Sequence, residues 1–219
     1  MAEARMTFWR SNGLSLVLMA LFLACLVGQV WSGHLAFNEQ LLEDGERPLG
    51  LAGYLLSGHF LSSLMENWES EFLQMGMYVL LTVSLRQRGS AESRPLSPDE
   101  EEERIDDGPK PWPLRAGGIW RALYANSLSI ALLTLFALSF AAHAWQSWRL
   151  ELAELEAAGL PPIPFAQHFA GAQFWFESMQ NWQSEFLAVL ALVVLSIFLR
   201  QDKSPESKPL EAPHRQTGT

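Results

Sequence analysis

The chain has 219 residues, 49% of them hydrophobic and 18% charged, with a formal net charge of −9. The charged share is below the roughly 25% of soluble domains, and acidity without a basic stripe excludes a nucleic-acid partner. Cys25 is the only cysteine, so an intrachain disulfide is excluded and cysteine usage says nothing of redox compartment.

In chain order, residues 11–33 carry no Asp, Glu, Lys or Arg. A helix needs about 20 mostly apolar residues to cross a ~30 Å hydrocarbon core, so a span is predicted over about 12–32. Its residues recur mid-chain, so it is expected to stay as a span and not to be cleaved as a signal peptide. An acidic stretch, Glu39 to Arg47, follows, and then a second apolar stretch from Leu49 to Leu64. The apolar face of that stretch predicts a short helix on the outer leaflet; one long helix running into the next span is the alternative. A second span is predicted over about 66–86. Residues 88–118, rich in Pro, Gly, Ser and acid, read as a flexible tether. A third span is predicted over about 126–146, inside the charge-free run 122–148. Ile163 to Phe176 repeats the outer apolar stretch, and a fourth span is predicted over about 180–200. Residues 202–219 read as a disordered tail.

The chain is written twice. Met65 to Leu73 and Met179 to Leu187 agree at seven of nine positions, at an offset of 114. At that offset Asn12, Ser15, Phe22 and Trp31 recur as Asn126, Ser129, Phe136 and Trp145, Gly45 and Pro48 as Gly159 and Pro162, and Leu85-Arg86-Gln87 as Leu199-Arg200-Gln201. The expected fold is therefore all-α and integral to a membrane. Four transmembrane helices form two tandem hairpins in parallel repeat, with short outer interfacial helices. The first repeat is 1–87, the linker 88–118, the second repeat 119–201 and the tail 202–219. Two repeats entering in the same direction are related by an axis along the membrane normal, unlike inverted repeats.

Orientation follows from Lys and Arg. Thirteen of them fall at the N-terminus, in the central loop and in the tail; the outer connections hold only Arg47 and Arg149. Both termini and the linker are therefore expected in the cytoplasm.

The strongest chemical signal is Asn67-Trp68-x-Ser70-Glu71-Phe72 with its echo Asn181-Trp182-x-Ser184-Glu185-Phe186. Asn and Glu at i and i+4 share a helix face, and a carboxylate inside a membrane usually faces the bundle interior or a water-filled path. The candidate site for a proton, a cation or a small polar solute is Asn67, Ser70, Glu71, Asn181, Ser184 and Glu185, lined by Glu66 and Gln180. The competing reading is structural: Trp68 and Trp182 belong to an aromatic belt, Asn and Ser cap the helix entrance, and polar groups join helices across a bundle. Arg86 and Arg200 mark the inner edge as anchors.

No metal site is expected. His34, His59, His143 and His168 fall on Trp148, Gln173, Gln29 and Tyr54 in the other copy, and no ligand spacing is present. No nucleotide loop or nucleophile elbow is visible, so neither catalytic residues nor cofactor are expected, and the chain does not read as an enzyme. The partners expected are the lipid bilayer and, because four helices leave little room for a pore, a second copy in a homodimer. A protein partner bound through the linker or outer helices belongs to the alternative, a structural or regulatory role.

Gly58-His59-Phe60 followed by Glu66 to Met75, an ENWESEFLQM-type segment, resembles a family of bacterial membrane proteins catalogued as a domain of unknown function. The resemblance covers nearly the whole chain. It implies an integral protein of the bacterial inner membrane and carries no activity, substrate or catalytic residue. The second copy has Gln180 and Gln183 where the first has Glu66 and Glu69, so if the motif binds a cation its two halves are inequivalent.

Overall fold

The computed structural model describes residues 8–97 and 105–218. The acidic run Asp99 to Glu103 and the N-terminal Arg5 lie outside the described residues. The described residues are helical, without strands: α1 (Phe8–Glu43), α2 (Leu51–Leu55), α3 (Gly58–Ser84), α4 (Trp112–Ala116), α5 (Gly118–Ala125), α6 (Ser127–Ala157), α7 (Phe165–Phe169) and α8 (Ala172–Phe198).

Frequent Leu and Ala make α1 and α6 good helix formers. Both end on a glycine. Gly45 takes φ +77°, its N–H reaches the Leu42 carbonyl at 3.2 Å, and the Glu46 N–H reaches Leu41 at 2.7 Å. Gly159 takes φ +68°, with Gly159 on Glu156 at 3.0 Å and Leu160 on Leu155 at 2.8 Å. This left-handed exit satisfies the orphan carbonyls of the last turn and is easiest for glycine. Pro48 and Pro162 then bar any continuation.

Each outer stretch is divided: its first part is a separate one-turn helix, α2 or α7, and after a break its second part, residues 58–64 or 172–176, runs on directly as the start of the long helix α3 or α8. At the first break Ser57 Oγ accepts the Phe60 N–H at 3.2 Å, an N-cap. The bounds of α2 and α7 differ by 114, as do those of α3 and α8.

Among the described residues, three helices are long and apolar enough to cross a membrane: Ser11–Glu43, Ser127–Ala157 and Ala172–Phe198. Nothing in the most apolar stretch of the first is buried within the protein, and little is in the third. Leu14, Val17, Leu18, Leu21, Leu187 and Leu190 all stand exposed. Water-facing apolar surface on that scale is rare in soluble monomers, whereas helices with all backbone bonds internal suit lipid. These helices point to a membrane protein. The helix α3 equals α8 in length, 27 residues, but carries Glu66, Glu69 and Glu71 and falls short in apolar character.

The chain forms two compact units, Met1–Ser63 and Leu64–Thr219. The first packs around Tyr54, which is 2% exposed. Its hydroxyl lies only 2.1 Å from where a Cβ on Gly33 would stand, so only glycine fits there. Asn38 clamps Leu49, accepting its N–H at 2.8 Å and donating to its carbonyl at 3.0 Å, and His34 Nε2 meets the same carbonyl at 2.7 Å.

In the second unit Gly76 lets α3 approach α6: a Cβ there would stand 3.0 Å from Leu133 Cδ2. The composition of the segments after α3 and α8 reads as loose. Where described, they are held by side chain to backbone hydrogen bonds. Ser93 Oγ accepts the Gln87 N–H at 2.9 Å and Ser207 Oγ accepts the Gln201 N–H at 2.8 Å. Lys208, 1% exposed, donates to the carbonyls of Gly89, His214 and Gln216 at 2.5, 3.0 and 2.9 Å.

Candidate functional site

A helix turns about 100° per residue, so Glu66, Glu69 and Ser70 share one face of α3, while Asn67 and Glu71 lie round to the side. The structure turns the first face inward. Glu69 and His143 of α6 are both wholly buried, and Glu69 Oε2 meets His143 Nδ1 at 3.0 Å. The other oxygen, Oε1, accepts Ser178 Oγ at 3.1 Å and Trp182 Nε1 at 3.2 Å, both from α8. One carboxylate thus joins three helices. The ring of Phe174 lies 5.0 Å from that of His143, and Phe140, Phe169, Trp175 and Trp182 continue the apolar wall.

At the edge of this core stand Glu66 and Glu177, both half-buried. Asn181 Nδ2 donates to Glu66 Oε1. One oxygen of Glu66, one of Glu177 and a ring nitrogen of His143 all lie within 4.8 Å of one another. The sequences of α3, α7 and α8 contain no Lys or Arg, and α6 has only Arg149, which is exposed. Three carboxylates therefore gather about one imidazole in a low-dielectric setting, where uncompensated charge is expensive.

A second polar contact lies further along α6. His168 of α7 takes Glu151 Oε2 on Nδ1 at 2.5 Å and Ser147 Oγ on Nε2 at 2.9 Å. This has the connectivity of a nucleophile, a base and an orienting acid. Oxyanion stabilisation needs free donors, and Ser147 sits mid-helix, where backbone N–H groups are spent on the preceding turn. The contact fastens α7 to α6, and Trp148 of α6 holds the connection just before α7 by donating to the Ile163 carbonyl at 3.0 Å.

The residues singled out in the sequence are divided. Asn181 enters the cluster through Glu66, and Trp182 enters it through Glu69. Ser70 is buried, but its hydroxyl donates to the Asn67 carbonyl at 2.8 Å; Ser184 is exposed and does the same to Asn181 at 2.8 Å. Asn67 and Glu71 are exposed, Trp68 and Glu185 half-buried. Arg86 and Arg200 each cap the end of their helix. Arg86 Nη1 donates to Thr82, Val83 and Leu85, and Arg200 Nη1 to Ser196, Ile197 and Leu199. Sequence reasoning did not select Glu69, His143, Glu177 or Ser178. The available signal was the exchange of Glu66 and Glu69 for Gln180 and Gln183, together with a histidine inside a charge-free run.

The class these observations point to is an all-α protein with helices long and apolar enough to cross a membrane. The chain belongs to the family described as Domain of unknown function (DUF6766), which matches residues 5–219. No curated protein and no solved structure matches it.

Proposed function

We propose that this is a bacterial inner-membrane protein of four spans, built as two tandem hairpins, that takes a proton or a cation into the Glu66–Glu69–His143–Glu177 cluster and passes it across the membrane as a homodimer. The carrying observation is the wholly buried Glu69–His143 pair, on helices with no inward lysine or arginine to balance the surrounding carboxylates. Four spans are supported by α3 matching α8 in length and by element bounds repeating at an offset of 114. A cytoplasmic placement of both termini is supported by the thirteen Lys and Arg on that side. Glu66 stands 20 residues before Arg86, about 30 Å along a helix, which puts the cluster at the outer edge of the core and open to that side. Binding and translocation need no nucleophile, so the protein works as a carrier or channel and not as an enzyme.

The test is flux into liposomes of purified protein, using a pH-sensitive dye and, separately, potassium- and zinc-sensitive dyes. Wild type conducts at least one of these ions, and Glu69→Gln/His143→Gln loses at least about tenfold of that flux while keeping its helical circular dichroism. A well-folded wild type that moves none of them overturns the reading. One observation favours a second, structural role: the three hydrogen bonds accepted by Glu69 fasten α3, α6 and α8 together. Under that role the double variant loses stability and wild type carries no flux.

A further inference from the structure

The geometry points to a divalent transition-metal site whose ligands are Glu66, His143 and Glu177, with Glu69 as the residue that orients the histidine. This rests on reading the cluster as cation-binding and names the cation.

Two independent observations meet here. The first is the ligand set: one carboxylate oxygen from Glu66, one from Glu177 and a ring nitrogen of His143, mutually within 4.8 Å. The second is an orphan. His143 is wholly buried, its Nδ1 is taken by Glu69, and its Nε2 is buried without a hydrogen-bond partner among the described residues. Buried polar atoms are nearly always satisfied, and an unsatisfied one calls for an explanation such as an ion. With the proton on Nδ1 facing the Glu69 carboxylate, Nε2 presents a lone pair. A carboxylate behind a metal-bound imidazole is the common outer-shell arrangement, fixing tautomer and ring orientation and raising ligand basicity.

The donor set selects the metal. An imidazole nitrogen with carboxylate oxygens suits zinc and its neighbours in the first transition row, whereas magnesium and calcium take oxygen ligands. Two ligand carboxylates balance a divalent charge, and Glu69 keeps its own three hydrogen bonds. Metal bonds of about 2.0–2.2 Å would draw the ligand atoms to roughly 3.3 Å apart. Glu66 and Glu177 are the half-buried members of the set, so they are the ones that would close on the ion. Asn181 donates to Glu66 Oε1, which leaves Oε2 available as a ligand.

The test is calorimetric titration of Zn²⁺ into chelator-washed protein in detergent. Wild type binds one equivalent. His143→Gln and Glu177→Gln each weaken binding by about thirtyfold or more, and Glu69→Gln by about 10–100-fold, as outer-shell changes do. Glu43→Gln, at an exposed acid on α1, leaves binding unchanged. Mg²⁺ and Ca²⁺ bind at least about a hundredfold more weakly. If His143→Gln fails to fold, the half-buried Glu177→Gln decides. Absence of stoichiometric zinc binding by wild type, or binding that both ligand variants retain, overturns the site. Because the readout is binding and not flux, the two readings fail separately. Proton flux without zinc binding removes the metal and leaves the carrier; zinc binding without flux keeps the metal and removes the carrier.

Discussion

Glu69 on α3 and His143 on α6 meet at 3.0 Å with neither side chain exposed to solvent. Removing one partner of a buried pair leaves the other uncompensated and typically costs about 3–5 kcal/mol. Glu69→Leu strands His143 Nδ1, Ser178 Oγ and Trp182 Nε1 together, so it is expected at the upper end of that range. Glu69→Leu/His143→Leu should cost less than the two single changes summed, by about 1 kcal/mol or more. Unfolding in mixed detergent micelles with rising dodecyl sulfate measures all four corners of this cycle. Single effects that simply add, to within about 0.5 kcal/mol, would show that the two residues are not coupled.

The contrast between Gly33 and Ser147 gives a second prediction. These residues are 114 apart, and so are Tyr54 and His168, which meet them. In the first copy the tyrosine hydroxyl fills the space a side chain would need; in the second, serine and histidine share it through a hydrogen bond. Gly33→Ala should therefore destabilise by about 1–3 kcal/mol, the usual cost of overpacking. Tyr54→Phe removes the clashing oxygen and should recover most of the loss when combined with it. A thermal melt of the single and double variants decides; an undiminished loss in the double variant would locate the strain elsewhere.

The same offset explains what could be read from the sequence and what could not. Charge-free runs marked the apolar parts of α1, α6 and α8, but the spans read over 12–32 and 126–146 stop short of α1 and α6, which run on through the acidic stretches to Glu43 and Ala157 because Glu, Gln and Leu are themselves good helix formers. The motif Asn-Trp-x-Ser-Glu-Phe drew attention because both copies share it. What they share most closely is local: Ser70 on Asn67, Ser184 on Asn181, and the Arg86 and Arg200 caps. The cluster is made from positions where the copies differ. Glu66 and Glu69 face Gln180 and Gln183 in the alignment, His143 faces Gln29, and Glu177 faces Ser63. A repeat conceals a site of that kind, since each member looks like an unmatched substitution. The polar segments after α3 and α8 were hidden for another reason. Proline- and serine-rich composition reads as loose, and nothing in it foretells three carbonyls converging on Lys208.

Those segments also carry a pH dependence. Glu92 Oε2 accepts the Tyr78 hydroxyl at 2.8 Å. Burial pushes the Glu92 carboxyl above its ordinary range, and the neighbouring Glu206 carboxylate pushes it further, against the opposing pull of the tyrosine. A raised folded-state value means that protonated Glu92 stabilises the docked segments. That contribution is fully present below the unfolded value of about 4.3 and is lost as pH rises through the raised value. Residues 205–218 should therefore resist protease best in mild acid and less well toward neutrality. The Lys208 ammonium, held below its ordinary value by burial and by Arg200, acts with the opposite sign and at higher pH, because lowering its charge relieves a cost. Limited proteolysis with an acid-tolerant enzyme, at several values between about pH 4 and pH 7.5, reads the first effect free of the second, because the range stays below lysine titration. Glu92→Gln should flatten the profile at its more resistant level. A profile whose slope is unchanged in Glu92→Gln would assign the dependence to another group, and a wild type that becomes more resistant with rising pH would reverse the sign argued for Glu92.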